Sequence, residues 1–521
     1  MKKNKNHAAL GRAANHGDFM GFWFGVDNAG DTDISNIDFD ILKQLGAQFI
    51  VYHFLDIVSP EVETQKALDL MKQCEENDIF LLSNVEIANW IGKVIDYEGN
   101  DWANGNDGCH YFRFPNEVLA ALNSSPYFAG VVYDEAEHMQ INRNWIWEGI
   151  KKIDMPFFSE TNDKTFQQAS DDFIEYGRQV ADNYFQRETP YLLTEHVWPV
   201  LFHAFAKMGF TPAYKQMKEG WSNIWAVIAM GAVRQYESEL WACLDLWGVD
   251  GYPSHNPEEL KYNLIFSYLI GCDKSYVENL SYEGSLYSKQ DGIDVLSEHG
   301  EAVKWFTSEY LPNNERKYSH RDYQPSVAII RFDDSDGGQA ASSLWKNQLL
   351  GSYTLRSSEE TREWLRAWHT ITHRTTNPGA LSWNYVNTSP HRSFAPCNSP
   401  IVYDENVTFA DLETLELVFL CGLTISEGTL NAVGKAVKET GVTVVTSKRF
   451  APNEFADSYN GGTAEFSDGK GRWLITDDMA CDEVYNAVKP HLGNSDEMVY
   501  RFKENTLIMK ISDDGNSFVC N

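Results

Sequence analysis

Short apolar runs rich in β-branched and aromatic residues recur along the first 330 residues, each followed by a longer segment with helical spacing. In order they are "GFWFGVD" (21–27), "QFIVYHF" (48–54), "IFLLSNVE" (79–86), "FAGVVYDE" (128–135), "YLLTEH" (191–196), "LWACLDLW" (240–247), "KSYVEN" (274–279) and "SVAIIRF" (326–332). The intervals carry helix signals: "SPEVETQKALDLMKQCEEN" and "NPEELKYNLIFSYLIG" open with Ser-Pro and Asn-Pro caps, and a third helical pattern follows Asp291. Strand after strand, each with its own helix, predicts an α/β chain built on a (β/α)8 TIM barrel over residues 1–325. The run at 326–332 stands at the boundary, either as the last barrel strand or as the first strand of the next unit.

Beyond it "LELVFLCG" (415–422), "SEGTLNAVGKAVKETG" and "VTVVTS" (442–447) read as a βαβ unit whose strands are hydrophobic on both faces. Residues 326–455 are therefore expected to form a small flavodoxin- or Rossmann-like α/β domain. The tail, 456–521, has the short strands "GRWLIT", "MVYRF" and "TLIMKIS" among Gly and Asp, which suits a small C-terminal β domain.

Charge narrows the partners. Lys and Arg number 43 against 75 Asp and Glu, a formal net charge of −32, so nucleic acid and anionic membrane surfaces are expected to be repelled. The eight cysteines are scattered, without a CxxC or CxH pair to hold zinc, and suit free thiols in a reducing compartment. "MKKNKNHAALGRAANHG" has a basic start but no apolar run after it, and no stretch of 18 apolar residues occurs, so the expected location is cytoplasmic. No metal and no other cofactor is called for.

The active site of a (β/α)8 barrel lies at the carboxyl ends of its strands. Here those ends are acidic. The first offers Asp27 and Asn28, the second His53, the third Glu86 and Asn89, and the fourth Asp134, Glu135, Glu137 and His138. The fifth offers Glu195 and His196 with Trp198 beyond, the sixth Asp245 with Trp247, and the run counted as seventh Glu278 and Asn279 with Tyr282 nearby. Converging carboxylates push each other's pKa values apart, and cleavage of a glycosidic bond needs one protonated acid and one ionised carboxylate. Glycoside hydrolysis is thus the expected chemistry, and the other polar and aromatic residues are expected to bind the sugar, an aromatic face packing well on a pyranose. Strands four and seven face each other across the mouth and can bring two carboxyl groups to about 5–5.5 Å, the spacing of a retaining double displacement. On that count Glu278 is the nucleophile and Glu135 the acid/base, with Glu137 as the rival acid because alternation sends 135 and 137 to the same side.

This arrangement, with carboxylates after the fourth strand ("VVYDE") and the seventh ("YVEN"), followed by an α/β unit and a β unit, resembles the clan A glycoside hydrolases. Its domain order is similar to that of the family 42 β-galactosidases. The resemblance implies a carbohydrate substrate, an acid/base at Glu135, a nucleophile at Glu278, and a second domain through which copies associate as a dimer or trimer. It departs from the clan at Asp134, where an Asn is usual, and it lacks a cysteine zinc cluster. Two other readings stand beside it: a metal-dependent barrel hydrolase using the ligand types in "DEAEH" with His53, Glu195 and His196, and a non-catalytic carbohydrate-binding barrel.

Overall fold

The strands that close on themselves are short and apolar, with interior positions that alternate against an outer coat of helices. In a computed structural model they form a closed parallel barrel. The structure describes residues 22–28, 33–54, 60–86, 93–95, 109–111, 114–134, 136, 163–196, 201–216, 223–246, 255–280, 286–332, 358–379, 393–511 and 518–520. The barrel strands are β1 (Trp23–Asp27), β2 (Phe49–His53), β3 (Phe80–Glu86), β4 (Phe128–Asp134), β5 (Tyr191–His196), β6 (Thr211–Gln216), β7 (Trp241–Asp245) and β8 (Lys274–Glu278). Neighbours pair in chain order, and β8 closes on β1 with Trp23 opposite Lys274 and Asp27 opposite Glu278.

A helix follows each strand: α1 (Phe39–Gln44), α2 (Pro60–Asn77), α3 (Asn116–Asn123), α4 (Phe166–Gln186), α5 (Phe202–Met208), α6 (Ile224–Tyr236), α7 (Pro257–Leu269) and α8 (Glu298–Trp305). Local chemistry starts several of them. The Asn256 side chain accepts from the Glu258 and Glu259 amides while Glu259 reaches back to the cap, with Pro257 in the first turn of α7. Thr165 and Gln168 make the same reciprocal pair on α4. The third expected helix begins at Glu298, capped by Ser297. The residues just after Asp291 form instead a hairpin of Tyr287–Gln290 with Ile293–Leu296.

Two strands differ from the sequence reading, and both corrections move the site. Thr211–Gln216, "TPAYKQ", is a barrel strand although Pro212 and three polar residues give it no apolar run. The run at 326–332 is not in the barrel. Hydrophobic on both faces, it satisfies the pattern of any covered parallel strand, and it opens a second sheet. Trp241–Asp245 is therefore the seventh strand, and Glu278 ends the eighth.

The second sheet runs through β9 (Val327–Arg331), β10 (Pro400–Tyr403), β11 (Leu417–Cys421), β12 (Thr443–Thr446), β13 (Thr463–Asp468) and β14 (Gly471–Thr476). Its order is β10, β9, β11, β12, β14, β13, parallel except for β13 at the edge. The run "GRWLIT", expected in a separate C-terminal β unit, pairs with β12. Alternation alone does not show which sheet a strand joins. Beside it stands a four-stranded sheet of Cys397–Asn398, Glu497–Phe502, Asn505–Ile511 and Phe518–Cys520. Helix α6 joins barrel and second sheet: it is buried from Ile224 to Val233, and a Cβ on Gly231 would lie 1.7 Å from the Val402 carbonyl oxygen. Only a residue without a side chain lets the strand come that close.

Candidate active site

The barrel interior has its own apolar cluster, which includes Phe49, Val51, Leu82, Leu193, Trp241 and Tyr276 and is separate from the helix-covered core. Side chains alternate along a strand, so the next inward position lies two residues on. Applied to every strand, that step goes from Gly25 to Asp27, Val51 to His53, Leu82 to Asn84 and Val132 to Asp134. It continues from Leu193 to Glu195, Ala213 to Lys215, Cys243 to Asp245 and Tyr276 to Glu278. All eight strands turn polar at the same level. The carboxyl end of the barrel is thereby lined by five carboxylates, one lysine, one histidine and one asparagine, every one buried.

Lys215 sits among the acids. Its Nζ lies 2.8 Å from Glu195 Oε1, 2.9 Å from Glu278 Oε2 and 4.0 Å from Asp134 Oδ1. The Tyr276 hydroxyl donates to the other Glu195 oxygen, and the Cys243 thiol donates to Glu278 Oε2 across 3.6 Å. On the opposite wall His53 Nε2 lies 2.8 Å from Asp27 Oδ1 and 3.1 Å from the Asn84 side-chain nitrogen. Asp27, Glu278 and Asp245 are opposite one another across β1, β8 and β7, as are Asp134 and Glu195 across β4 and β5.

These surroundings split the carboxyl groups. Burial raises Glu278 well above its ordinary value, and the charges of Asp245, Glu195 and Asp27 add to that against the pull of Lys215. Burial acts on Glu195 in the same direction, but Lys215 and Tyr276 outweigh it and hold this carboxyl below its ordinary value. Asp27 is raised by burial against the pull of His53. One acid kept neutral beside one kept ionised is the condition for proton transfer at neutral pH. The backbone marks the same place: Asn279, directly after Glu278, has φ +84°, a left-handed conformation that Asn tolerates better than most residues.

Of the residues expected from sequence, Asp27, His53, Asp134, Glu195, Asp245 and Glu278 line this end of the barrel. Asn28 and Asn279 follow it, both buried, and the Asn28 amide donates to the Val51 carbonyl. Glu86 and His196 end described strands, but their side chains lie outside the described residues. So do Asn89, Glu135, Glu137, His138, Trp198, Trp247 and Tyr282 in full. Sequence reasoning missed Lys215, Asn84, Cys243 and Tyr276. Asn84 was within reach, since parity from Leu82 leads to it; Lys215 was hidden with its unrecognised strand.

Glu195, Cys243 and Glu278 present ligand atoms within 4.8 Å of one another, a spacing that a divalent ion can use. The Lys215 ammonium already stands between the two carboxylates at hydrogen-bond distance, and burial pushes the Cys243 thiol well up, away from the thiolate a metal needs. These donors do not fit a metal ion.

No family model matches the chain, and no curated protein matches it. Among solved structures it is similar to the exo-β-1,4-mannosidase Op5Man5 from Opitutaceae bacterium strain TAV5, at 9% identity over 90% of this chain and 94% of that one, with a TM-score of 0.50. It also matches an exo-carrageenase GH42 from Bacteroides ovatus at 11% identity, over 92% of this chain and 69% of that one, with a TM-score of 0.38. A third match is the glycoside hydrolase family 30 subfamily 8 xylanase Xyn30A from Clostridium acetobutylicum, at 10% identity over 55% and 71% with a TM-score of 0.30. The likeness to the mannosidase spans nearly all of both chains, and it is a likeness of fold. No helix among the described residues is long and apolar enough to cross a membrane.

Proposed function

We propose that the chain is a glycoside hydrolase that cleaves a carbohydrate at the carboxyl end of the barrel. The observation that carries this reading is the ring of eight buried polar residues, five of them carboxylates, at the carboxyl end of a barrel similar in fold to that of a mannosidase; burial and neighbouring acids push Glu278 up while Lys215 and Tyr276 hold Glu195 down. The mechanism proposed is retaining double displacement. Glu135, on the segment leaving β4, protonates the leaving oxygen and then deprotonates water. The nucleophile assigned from sequence needs revision, because its basis was a place on the seventh strand. Asp245 has that place, and burial among neighbouring acids raises Glu278 well above its ordinary value, which weakens it as a nucleophile. We therefore assign the attack to Asp245. A second reading has one observation in its favour: Glu278, as the neutral acid, is itself the proton donor.

Leaving groups separate these roles. Asp245→Asn should lose about 10²–10⁴-fold in turnover on every aryl glycoside. Glu135→Gln should lose as much on alkyl or nitrophenyl glycosides of poor leaving groups yet still open dinitrophenyl glycosides, which need no acid. If Glu278→Gln shows that pattern and Glu135→Gln does not, the second reading is correct. A purified chain that hydrolyses no member of a broad nitrophenyl glycoside and oligosaccharide panel would end the proposal. In the same reading the six-stranded sheet is a flavodoxin-like unit through which copies of the chain associate.

A further inference from the structure

Lys215 belongs to none of the roles above, although its ammonium lies against two of the mouth carboxylates at once. Its side chain is 5% exposed, and β6 carries it into the ring, two residues beyond the inward-facing Ala213. A buried ammonium needs counter-charge, and a buried carboxylate needs it equally. The groups that face Lys215 are Asp134 from β4, Glu195 from β5, Cys243 and Asp245 from β7, Tyr276 and Glu278 from β8, and beyond them Asp27 and His53 from β1 and β2. Five carboxylates thus share one lysine and one histidine, and the histidine is committed to Asp27.

We infer that Lys215 is a positioning residue, the internal counter-ion that clamps Glu195 and Glu278 side by side and so decides which carboxyl of the mouth holds the proton. Both oxygens it touches are at hydrogen-bond distance, and Tyr276 fixes the far oxygen of Glu195, leaving that carboxylate only one orientation toward the ammonium. The directions of Glu195 and Glu278 are consistent with this: the ammonium pulls both down and overcomes burial at Glu195 but not at Glu278. Without Lys215, two buried acids face each other with the Tyr276 hydroxyl and the Cys243 thiol as their donors among the described residues. Glu195 would then be raised by burial as Glu278 already is.

The inference rests on the glycosidase reading only for its rate measurement, so the test has two arms. In the first, thermal unfolding of Lys215→Met is followed from pH 5 to pH 8. With the ammonium gone, Glu195 is left to burial and its folded pKa rises above the unfolded value. The melting deficit should therefore be small at pH 5 and grow by at least about 3 °C toward pH 8. Lys215→Arg should follow the wild-type curve, and Lys215→Met with Glu195→Gln should recover much of the loss at pH 8. If the single variant does not fold, the double variant and Lys215→Arg carry the same comparison, because charge compensation predicts that the double variant folds. A deficit that is equal at both pH values, or a double variant worse than the single, overturns the inference. In the second arm, the acidic limb of the kcat/KM profile of Lys215→Met should move up by about one unit or more. An unmoved limb in an active variant also overturns it. A wild-type chain without glycosidase activity would defeat the proposed function and leave the melting arm intact.

Discussion

At the floor of the barrel Lys274 Nζ meets Glu239 Oε2 at 2.8 Å, and at the mouth Lys215 Nζ meets Glu195 and Glu278 at 2.8 and 2.9 Å. Both lysines point into the same interior, one at the start of β8 and the other near the end of β6. At the floor Asp273 meets Arg321 and His320, and Lys274 has one carboxylate against its ammonium, that of Glu239. The Trp241 indole N–H donates to it at 2.8 Å and the Tyr191 hydroxyl at 3.2 Å, and Lys274 also lies over the Trp241 ring, 5.2 Å from its centroid. Every charge there is matched, and nothing is left to react. At the mouth the ratio is reversed, with acids in excess and their proton affinities driven apart. A fold gains nothing in stability from crowded carboxylates, so the excess points to chemistry.

The contrast can be tested from the floor. Lys274→Met should cost about 3 kcal/mol, the price of leaving a largely enclosed carboxylate without its ammonium, measured by urea or thermal unfolding. Turnover per folded molecule should stay at the wild-type value, because no atom of Lys274 reaches the carboxyl end. A variant that keeps its stability but loses turnover would show that the floor and mouth are not separate in function.

Between the two ends lies a layer without charge, and it is tightly packed at Gly25. A Cβ there would lie 2.3 Å from the Phe49 ring, which packs on Trp241 and Tyr276 with centroids 5.7 and 6.2 Å away. Gly25→Ala should therefore overpack the middle of the barrel and lower stability by about 1–3 kcal/mol. Since Tyr276 carries the hydrogen bond to Glu195, kcat/KM should fall as well, which Lys274→Met does not predict. An unchanged kcat/KM in a destabilised Gly25→Ala would mean that the layer insulates the mouth from packing errors below it.

The same alternation that builds these layers decided what could be read beforehand. The barrel was legible because its strands are apolar, and its acids because most of them end such strands. Where the interior itself is small and polar, as at Thr211, Ala213 and Lys215, no hydrophobic run announces a strand, and Pro212 argues against one. One missed strand and one borrowed from β9 left the total at eight, so the count was right while the numbering after β5 was wrong. That shift moved Glu278 to the seventh place and concealed Asp245 in the sixth. The burial of Lys215 between two acids was beyond sequence altogether, since Glu278 lies two strands away from Lys215 and comes to it only across the curved interior of the barrel.

The smallest expected effect tells most about why the mouth is built as it is. Glu278→Gln should stabilise the fold while impairing it as a catalyst, whereas Glu239→Gln at the floor should only destabilise. The sign follows from the direction of the shift. A carboxyl whose folded pKa is raised is under no penalty below its unfolded value, near 4.3, and loses folding free energy as pH rises above it. The amide removes that penalty, so the gain should be absent near pH 4, on the order of 1 kcal/mol by pH 7, and still there at pH 8. Lys215 keeps Glu195 as a partner in the variant, which limits the offsetting loss. A Glu278→Gln chain that melts below the wild type at pH 7, in parallel with Glu239→Gln, would mean that the mouth lysine and its acids are matched as well as those at the floor, and that the excess of carboxylates carries no functional strain.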